Sequence, residues 1–303
     1  MKLSRLLGVA VVGVGAATVA DHVLRERAGD PSPPLPGTQQ TYRWRGMDVA
    51  YVEAGDPDDR TIVMLHGINA AGSSHEFREV FGDLAANYHV VAPDLPGFGH
   101  SDRPPLRYSA ALYEDFVEAF LAEYDAPAVV ASSVTAAYVA ADADHATDLL
   151  LICPTTESFP GRRTWLRELL RSPVVGTSLY NLMTARPSIR HADEDHGYYD
   201  PANVTDDLVE YQWRIAHREG ARFAPAAFFA GDLNSEIDLG ATLAEHDATV
   251  TLLWGRESTT TPLSEGRALA DAADARLVVF DHALLQPHVE HAEAFVELVE
   301  ETV

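Results

Sequence analysis

Short apolar runs recur along the chain, each ended by a turn signal and separated by segments with helical spacing. They read "TIVMLHG", "YHVVAPD", "PAVVASS", "DLLLICP", "ATVTLLWG" and "ARLVVFD". Runs of this length and composition suit strands buried on both faces, and their alternation with helices suits a largely parallel sheet covered on both sides. Ahead of them "YRWRGMDVAYVEAG" reads as an antiparallel opening hairpin. The pattern predicts an α/β fold. Between "LLLICP" and "TVTLLWG" the rhythm stops for about 90 residues rich in large apolar side chains at helical spacing. A stretch so long and so structured is not a loop. It predicts an inserted helical cap over 155–245, dividing a core made of 41–154 and 246–303. The cap would cover the carboxyl ends of the strands, where such sheets bind ligands.

Charge narrows the choice of partners. The chain carries 46 acidic residues against 22 basic ones, a formal net charge of −24, and Lys2 is its only lysine. A polyanion such as nucleic acid would be repelled. The acid is spread through nearly every segment, which reads as a solvated surface adapted to high salt, where screening relieves self-repulsion. Cys153 is the only cysteine, so neither an internal disulfide nor a cysteine-rich metal site is available.

The N-terminus is set apart. Residues 6–20 are uncharged, with Lys2 and Arg5 before them and Asp21, Arg25, Glu26 and Arg27 after. At about 1.5 Å per residue the run gives roughly 22 Å of helix, short for a ~30 Å hydrocarbon core. It is expected to act as a membrane anchor within 1–27, with cleavage as a signal peptide and secretion as the alternative. The Pro-rich stretch across 28–40 reads as a stiff linker.

Three motifs in order along the chain resemble the α/β-hydrolase superfamily, over about residues 41–300. "MLHGINAAGSS" matches the His-Gly turn after a strand. "APDLPGFGHSD" matches the Asp-x-x-Gly-x-Gly-x-Ser loop, with Asp94, Gly97, Gly99 and Ser101. "VVFDHALLQPHVEHAEAF" matches the terminal strand and helix. The resemblance implies a nucleophile on a strained strand-to-helix turn, a histidine base and an orienting carboxylate, with two backbone N–H groups forming an oxyanion hole.

Register assigns those places. In "VVASSVTAAY" Ser133 takes the nucleophile's position, and Ile68 and Val134 are the residues whose N–H groups would face the oxyanion. Ser132, one residue earlier, reads as a strand-end serine satisfied by backbone. Thr135 is a β-branched residue where the turn is normally crowded. A pattern like Trp-Gly-x-x-Asp reads here "WGRESTTTP", putting Ser258 at the acid's position and Glu257 one residue early. Counting back from "EAF" and forward from "RLVVF" puts Leu285 where the histidine belongs. Leucine accepts no proton.

Other candidates carry bland readings. His66 is expected to buttress its turn, Cys153 to be a small core residue, and the spacing of His282, His288 and His291 fits no zinc pattern. Neither cofactor nor metal is implied. Two functions remain. One is a silent member binding a small, apolar or ester-type carbonyl compound; the other is an esterase-like serine hydrolase in which His282 substitutes as base for Ser133.

Overall fold

The computed structural model describes residues 19–142, 145–158 and 161–303. Among these residues eight strands form one sheet, mostly parallel. Strands β1 (Thr38–Trp44) and β2 (Met47–Ala54) pair antiparallel as the expected hairpin, and β2 pairs antiparallel with β4 (His89–Pro93). From β4 onward every pairing is parallel, through β3 (Thr61–Leu65), β5 (Ala128–Ser132), β6 (Asp148–Ile152), β7 (Thr249–Gly255) and β8 (Arg276–Phe280).

The apolar runs are explained by burial. Every residue of β4 and β5 is buried, whereas the β1 edge is mostly exposed. One apolar layer joins alternate sheet residues, such as Val63, Val129 and Leu151, to the helices Ala110–Leu121 and Thr135–Asp142. The opposite layer joins Ile62, Val130 and Ile152 to Phe77, Phe81 and the C-terminal helix Ala292–Thr302. Alternation along each strand therefore feeds two cores. The apolar segment "EFREVFGDLAANY" gives only a 3-10 turn, Ser74–Phe77, and a short helix, Phe81–Leu84, because the first turn is bent inward by bonds to its neighbours.

Between β6 and β7 the chain is helical, including Thr164–Arg171, Val175–Met183, Arg186–Ala192, Asp206–Ala216 and Phe223–Phe229. These helices meet the loops at the carboxyl ends of the strands. Tyr180 donates its hydroxyl to the carbonyl of Ala70 at 2.9 Å, and Arg218 donates to Gly99 O at 2.8 Å. At Gly97, φ is +88° and an added Cβ would stand 2.8 Å from Ala224 Cβ, so glycine lets this loop pass beneath the insertion.

The N-terminal expectations need correction. Among the described residues no helix is long and apolar enough to cross a membrane, so an anchor through residues 6–20 is not upheld. Residues 1–18 lie outside the described part. The helical residues 19–28 lie against the protein: Leu24 and Ala28 pack with Ile189, Leu208 and Trp213, and Asp21 accepts from Asn181 Nδ2 at 3.0 Å. The Pro-rich stretch is not a free spacer either. Leu35 is buried against Val52, Ile62 and the rest of the second core layer. Truncating a buried leucine removes transfer energy and leaves a cavity. Leu35→Ala should therefore cost about 2–4 kcal/mol in urea unfolding; a change within ~0.5 kcal/mol, typical of surface substitutions, would show that the stretch is only tethered.

Candidate active site

Ser133 follows β5 directly and sits at φ 58°, a left-handed conformation that a non-glycine residue adopts only when its surroundings hold it there. The holding contacts are visible. Ser133 N donates to Ile152 O at 2.9 Å, and the β5 register aligns Ala131 with Leu65 and Ser132 with Ile152. Thr135, the crowding residue, is accommodated by chemistry: its buried hydroxyl donates to His66 O at 2.8 Å and ties the following helix to the His-Gly turn. The partly exposed Ser133 hydroxyl has no hydrogen-bond partner among the described residues.

His66 is structural. Its Nε2 accepts from Leu95 N at 3.0 Å, which leaves Nδ1 to donate to Gly67 O at 2.7 Å, and burial lowers its pKa. The ring braces the two loops that follow β3 and β4. Asp94 completes that brace by accepting from Ser74 N and His100 N, both at 2.6 Å. Gly99, at φ +49°, lies so close that an added Cβ would fall 2.0 Å from the Asp94 carboxyl carbon. Ile68 and Val134 are buried, and neither N–H has an acceptor among the described residues. An oxyanion hole requires donors of this kind, with no acceptor inside the protein.

Leu285 and Ser258, the residues that register puts at the base and acid positions, carry no side chain that titrates near neutrality. Leu285 is partly buried in the loop after β8. Ser258 is buried and shares a 3.1 Å hydrogen bond with Thr261 Oγ1. Glu257, one position early, is engaged elsewhere: its Oε2 accepts from Ala283 N at 3.1 Å, while its own N donates to Ala283 O at 3.2 Å. Those two bonds also decide the fate of His282. The residue is exposed, at φ 57°, with its ring 5.2 Å from that of Tyr199. Leu284 N is bonded to Glu290 and Gln286 N to Gly197 O, so the loop is pinned on both sides. Among the described residues no hydrogen bond joins His282 to Ser133. Cys153, buried beside β6, has its thiol pushed up to about 12 by burial, which keeps it protonated.

A second polar group behind the elbow was not anticipated from the sequence. Glu76, on the inward-bent 3-10 turn, accepts from Gly67 N at 2.8 Å. The point where a Gly67 Cβ would stand is 3.2 Å from Ser132 Oγ, 3.4 Å from Glu76 Oε2 and 3.4 Å from Ser133 Cβ. Three polar residues thus converge on one that has no side chain. His288 is fully buried with its Nε2 3.6 Å from Glu76 Oε1, and rings of Phe77 and Phe295 stand beside it. Burial pushes Glu76 up to about 7, against the lowering effect of its bonds to Ser132 and Gly67, and pushes His288 down to about 3. The pair is therefore a neutral imidazole beside a carboxyl that titrates near neutrality, not an ion pair.

A cavity of about 430 Å³, lined by Ala140, Ala146, Glu245, His246 and Ala248, adjoins the starts of β6 and β7 and so lies at the end of the sheet opposite Ser133.

Comparison with known proteins agrees with the fold. A family model described as "Alpha/beta hydrolase family" matches residues 62–298. The chain is 26% identical over 254 residues to 2-hydroxy-6-oxo-6-phenylhexa-2,4-dienoate hydrolase of Burkholderia cepacia, covering 77% of this chain and 84% of that protein. It is 27% identical over 256 residues to 2-hydroxymuconate semialdehyde hydrolase of Pseudomonas sp. strain CF600, covering 78% and 84%. The solved 2-hydroxy-6-oxo-6-phenylhexa-2,4-dienoate hydrolase from Rhodococcus sp. strain RHA1 superposes with a TM-score of 0.71 at 23% identity, over 87% of this chain and 97% of that one. At that identity the likeness speaks for the fold.

The Glu76 shift carries a sign. A carboxyl raised from 4.5 to about 7 favours the folded state while protonated, so its contribution falls as pH rises from about 4.5 and is lost above about 7. His288, lowered from 6.5 to about 3, acts oppositely, costing stability as pH falls below 6.5. Glu76→Gln removes the first slope and keeps a polar neighbour for Gly67 N–H. At pH 8 the variant should be more stable relative to wild type than at pH 5, by up to about 3 kcal/mol at ~1.4 kcal/mol per pKa unit. Parallel urea-midpoint profiles of the two proteins across pH 5–8 would contradict the assignment.

Proposed function

The chain belongs to the α/β-hydrolase family, and from that membership we propose that it binds a small, apolar or ester-type carbonyl compound at Ser133 without turning it over through a Ser-His-acid relay. One observation carries the reading: register puts Leu285 where a base is expected, and of the two histidines three residues away, His282 is exposed beside Tyr199 and His288 is buried beside Glu76. The N–H groups of Ile68 and Val134, free among the described residues, support the binding half, since they can donate to a carbonyl oxygen whether or not a nucleophile attacks it. Triad members act as a unit, and loss of one can reduce kcat by about a million-fold. A serine with neither partner is a weak nucleophile.

A serine hydrolase is the second reading, and it is favoured by the names of the relatives and by Glu76. That carboxyl lies behind the elbow, and a group titrating near 7 has the strength a general base needs. This reading requires turnover that rises through pH 7 and disappears in Glu76→Gln.

The test is labelling and gain of function in molar salt. The wild-type protein should take up no more fluorophosphonate than Ser133→Ala and show no saturable hydrolysis of p-nitrophenyl acetate. The double variant Leu285→His, Ser258→Asp, which restores a base and an orienting acid, should raise that hydrolysis at least ~100-fold, the lower range for general-base catalysis. Saturable turnover by wild type that is abolished in Ser133→Ala would refute the silent reading.

A further inference from the structure

Gly67 is bracketed by two hydrogen bonds. Its N–H donates to Glu76 Oε2 at 2.8 Å, and its carbonyl accepts from His66 Nδ1 at 2.7 Å. A peptide bond is planar and trans, so the Gly67 carbonyl and the Ile68 N–H leave one plane in opposite directions. The direction of the Ile68 donor is therefore set by the two partners of Gly67. One of these is fixed, because the buried His66 ring is held at both nitrogens. The other is held on one side only: the Glu76 side chain is just 7% exposed, yet its second oxygen, Oε1, has no hydrogen-bond partner among the described residues.

What faces Oε1 is equally unsatisfied. His288, on the short helix Pro287–Glu290, is fully buried; its Nε2 stands 3.6 Å from Oε1, and neither ring nitrogen has a partner among the described residues. The other groups around the carboxyl are Arg78 on the same turn, Ser132 at the end of β5, Cys153 after β6 and Tyr198 on the insertion. Burial pushes Cys153 and Tyr198 up to about 12 and His288 down to about 3, so all three stay neutral near pH 7. Arg78 is the one charged member of this set, and it is already paired with Glu79 at 3.2 Å. A proton between Oε1 and Nε2 makes their contact a hydrogen bond and leaves Oε2 to hold Gly67. Without that proton the carboxylate is charged and poorly solvated, and a shift towards Arg78 is its way to a counter-charge.

We propose that Glu76 and His288 are positioning residues for the turn that carries the Ile68 N–H: the proton between Glu76 Oε1 and His288 Nε2 keeps Oε2 on Gly67, and its loss to solvent frees Gly67 and turns the Ile68 donor from its place. The turn then responds to pH whether or not Ser133 is active. One consequence rests on the carbonyl-binding reading above: a carbonyl compound is held best by the protonated form. Burial holds the Glu76 carboxyl up at about 7, which puts the change within the neutral range.

The test follows the isotope-labelled full chain by NMR between pH 5 and pH 9. The Gly67 and Ile68 amide shifts should titrate with one midpoint near 7, shared by the side-chain carboxyl carbon of Glu76. Glu76→Gln, which still offers Gly67 an acceptor, should abolish the amide titration. His288→Leu removes the ring nitrogen that shares the proton, and should lower the midpoint. Acetophenone, an apolar carbonyl compound with no bond to hydrolyse, should bind wild type about 10-fold more weakly at pH 8 than at pH 6, following the fraction of protein that keeps the proton. Glu76→Gln should bind it equally at both. A flat Ile68 amide in wild type, or a titration that persists in Glu76→Gln, refutes the proposal. If the variants do not fold, the carboxyl carbon and the amides of wild type decide it, since different midpoints refute the coupling. If Ile68 titrates but acetophenone binds at neither pH, the proton-held turn stands and the carbonyl reading falls; equal binding by wild type at both pH values leaves that reading and refutes the proposal.

Discussion

The hydrogen bond from Gly67 N–H to the Glu76 carboxyl is the contact on which the candidate site rests. It joins the end of β3 to the inward-bent turn, and it does so where the Ser132 hydroxyl and the Ser133 Cβ also arrive. A Cβ on residue 67 would stand 3.2 Å from Ser132 Oγ, so the neighbours would have to give by a few tenths of an ångström. Because Glu76 takes the Gly67 N–H, that donor is withdrawn from any ligand, and Ile68 and Val134 are left as the free pair. The carboxyl that organises the turn must itself be buried beside a neutral imidazole, which is why it holds its proton far above the usual carboxylate range. Local geometry and local acidity therefore have a common cause.

Much of this was readable in the sequence. Strands in the middle of a parallel sheet are apolar on both faces, so β4 and β5 stand out as continuous runs. At the loops, counting from Gly255 and from Phe295 gives Ser258 and Leu285 the expected acid and base positions, an assignment that rests on spacing alone. The contact that accommodates Thr135 needed a structure, since its hydroxyl bond to His66 O joins residues far apart in the chain.

Glu76 was not legible, and the reason is physical. In "GSSHEFREV" an acid among other polar residues looks like one more surface charge in a chain full of them. Its burial depends on His288, Phe77 and the β3 turn closing around it, contacts that no local period encodes. The N-terminal stretch misled for a related reason: its apolar and proline residues carry no mark distinguishing an anchor and spacer from a segment that buries Ala28 and Leu35 against the body.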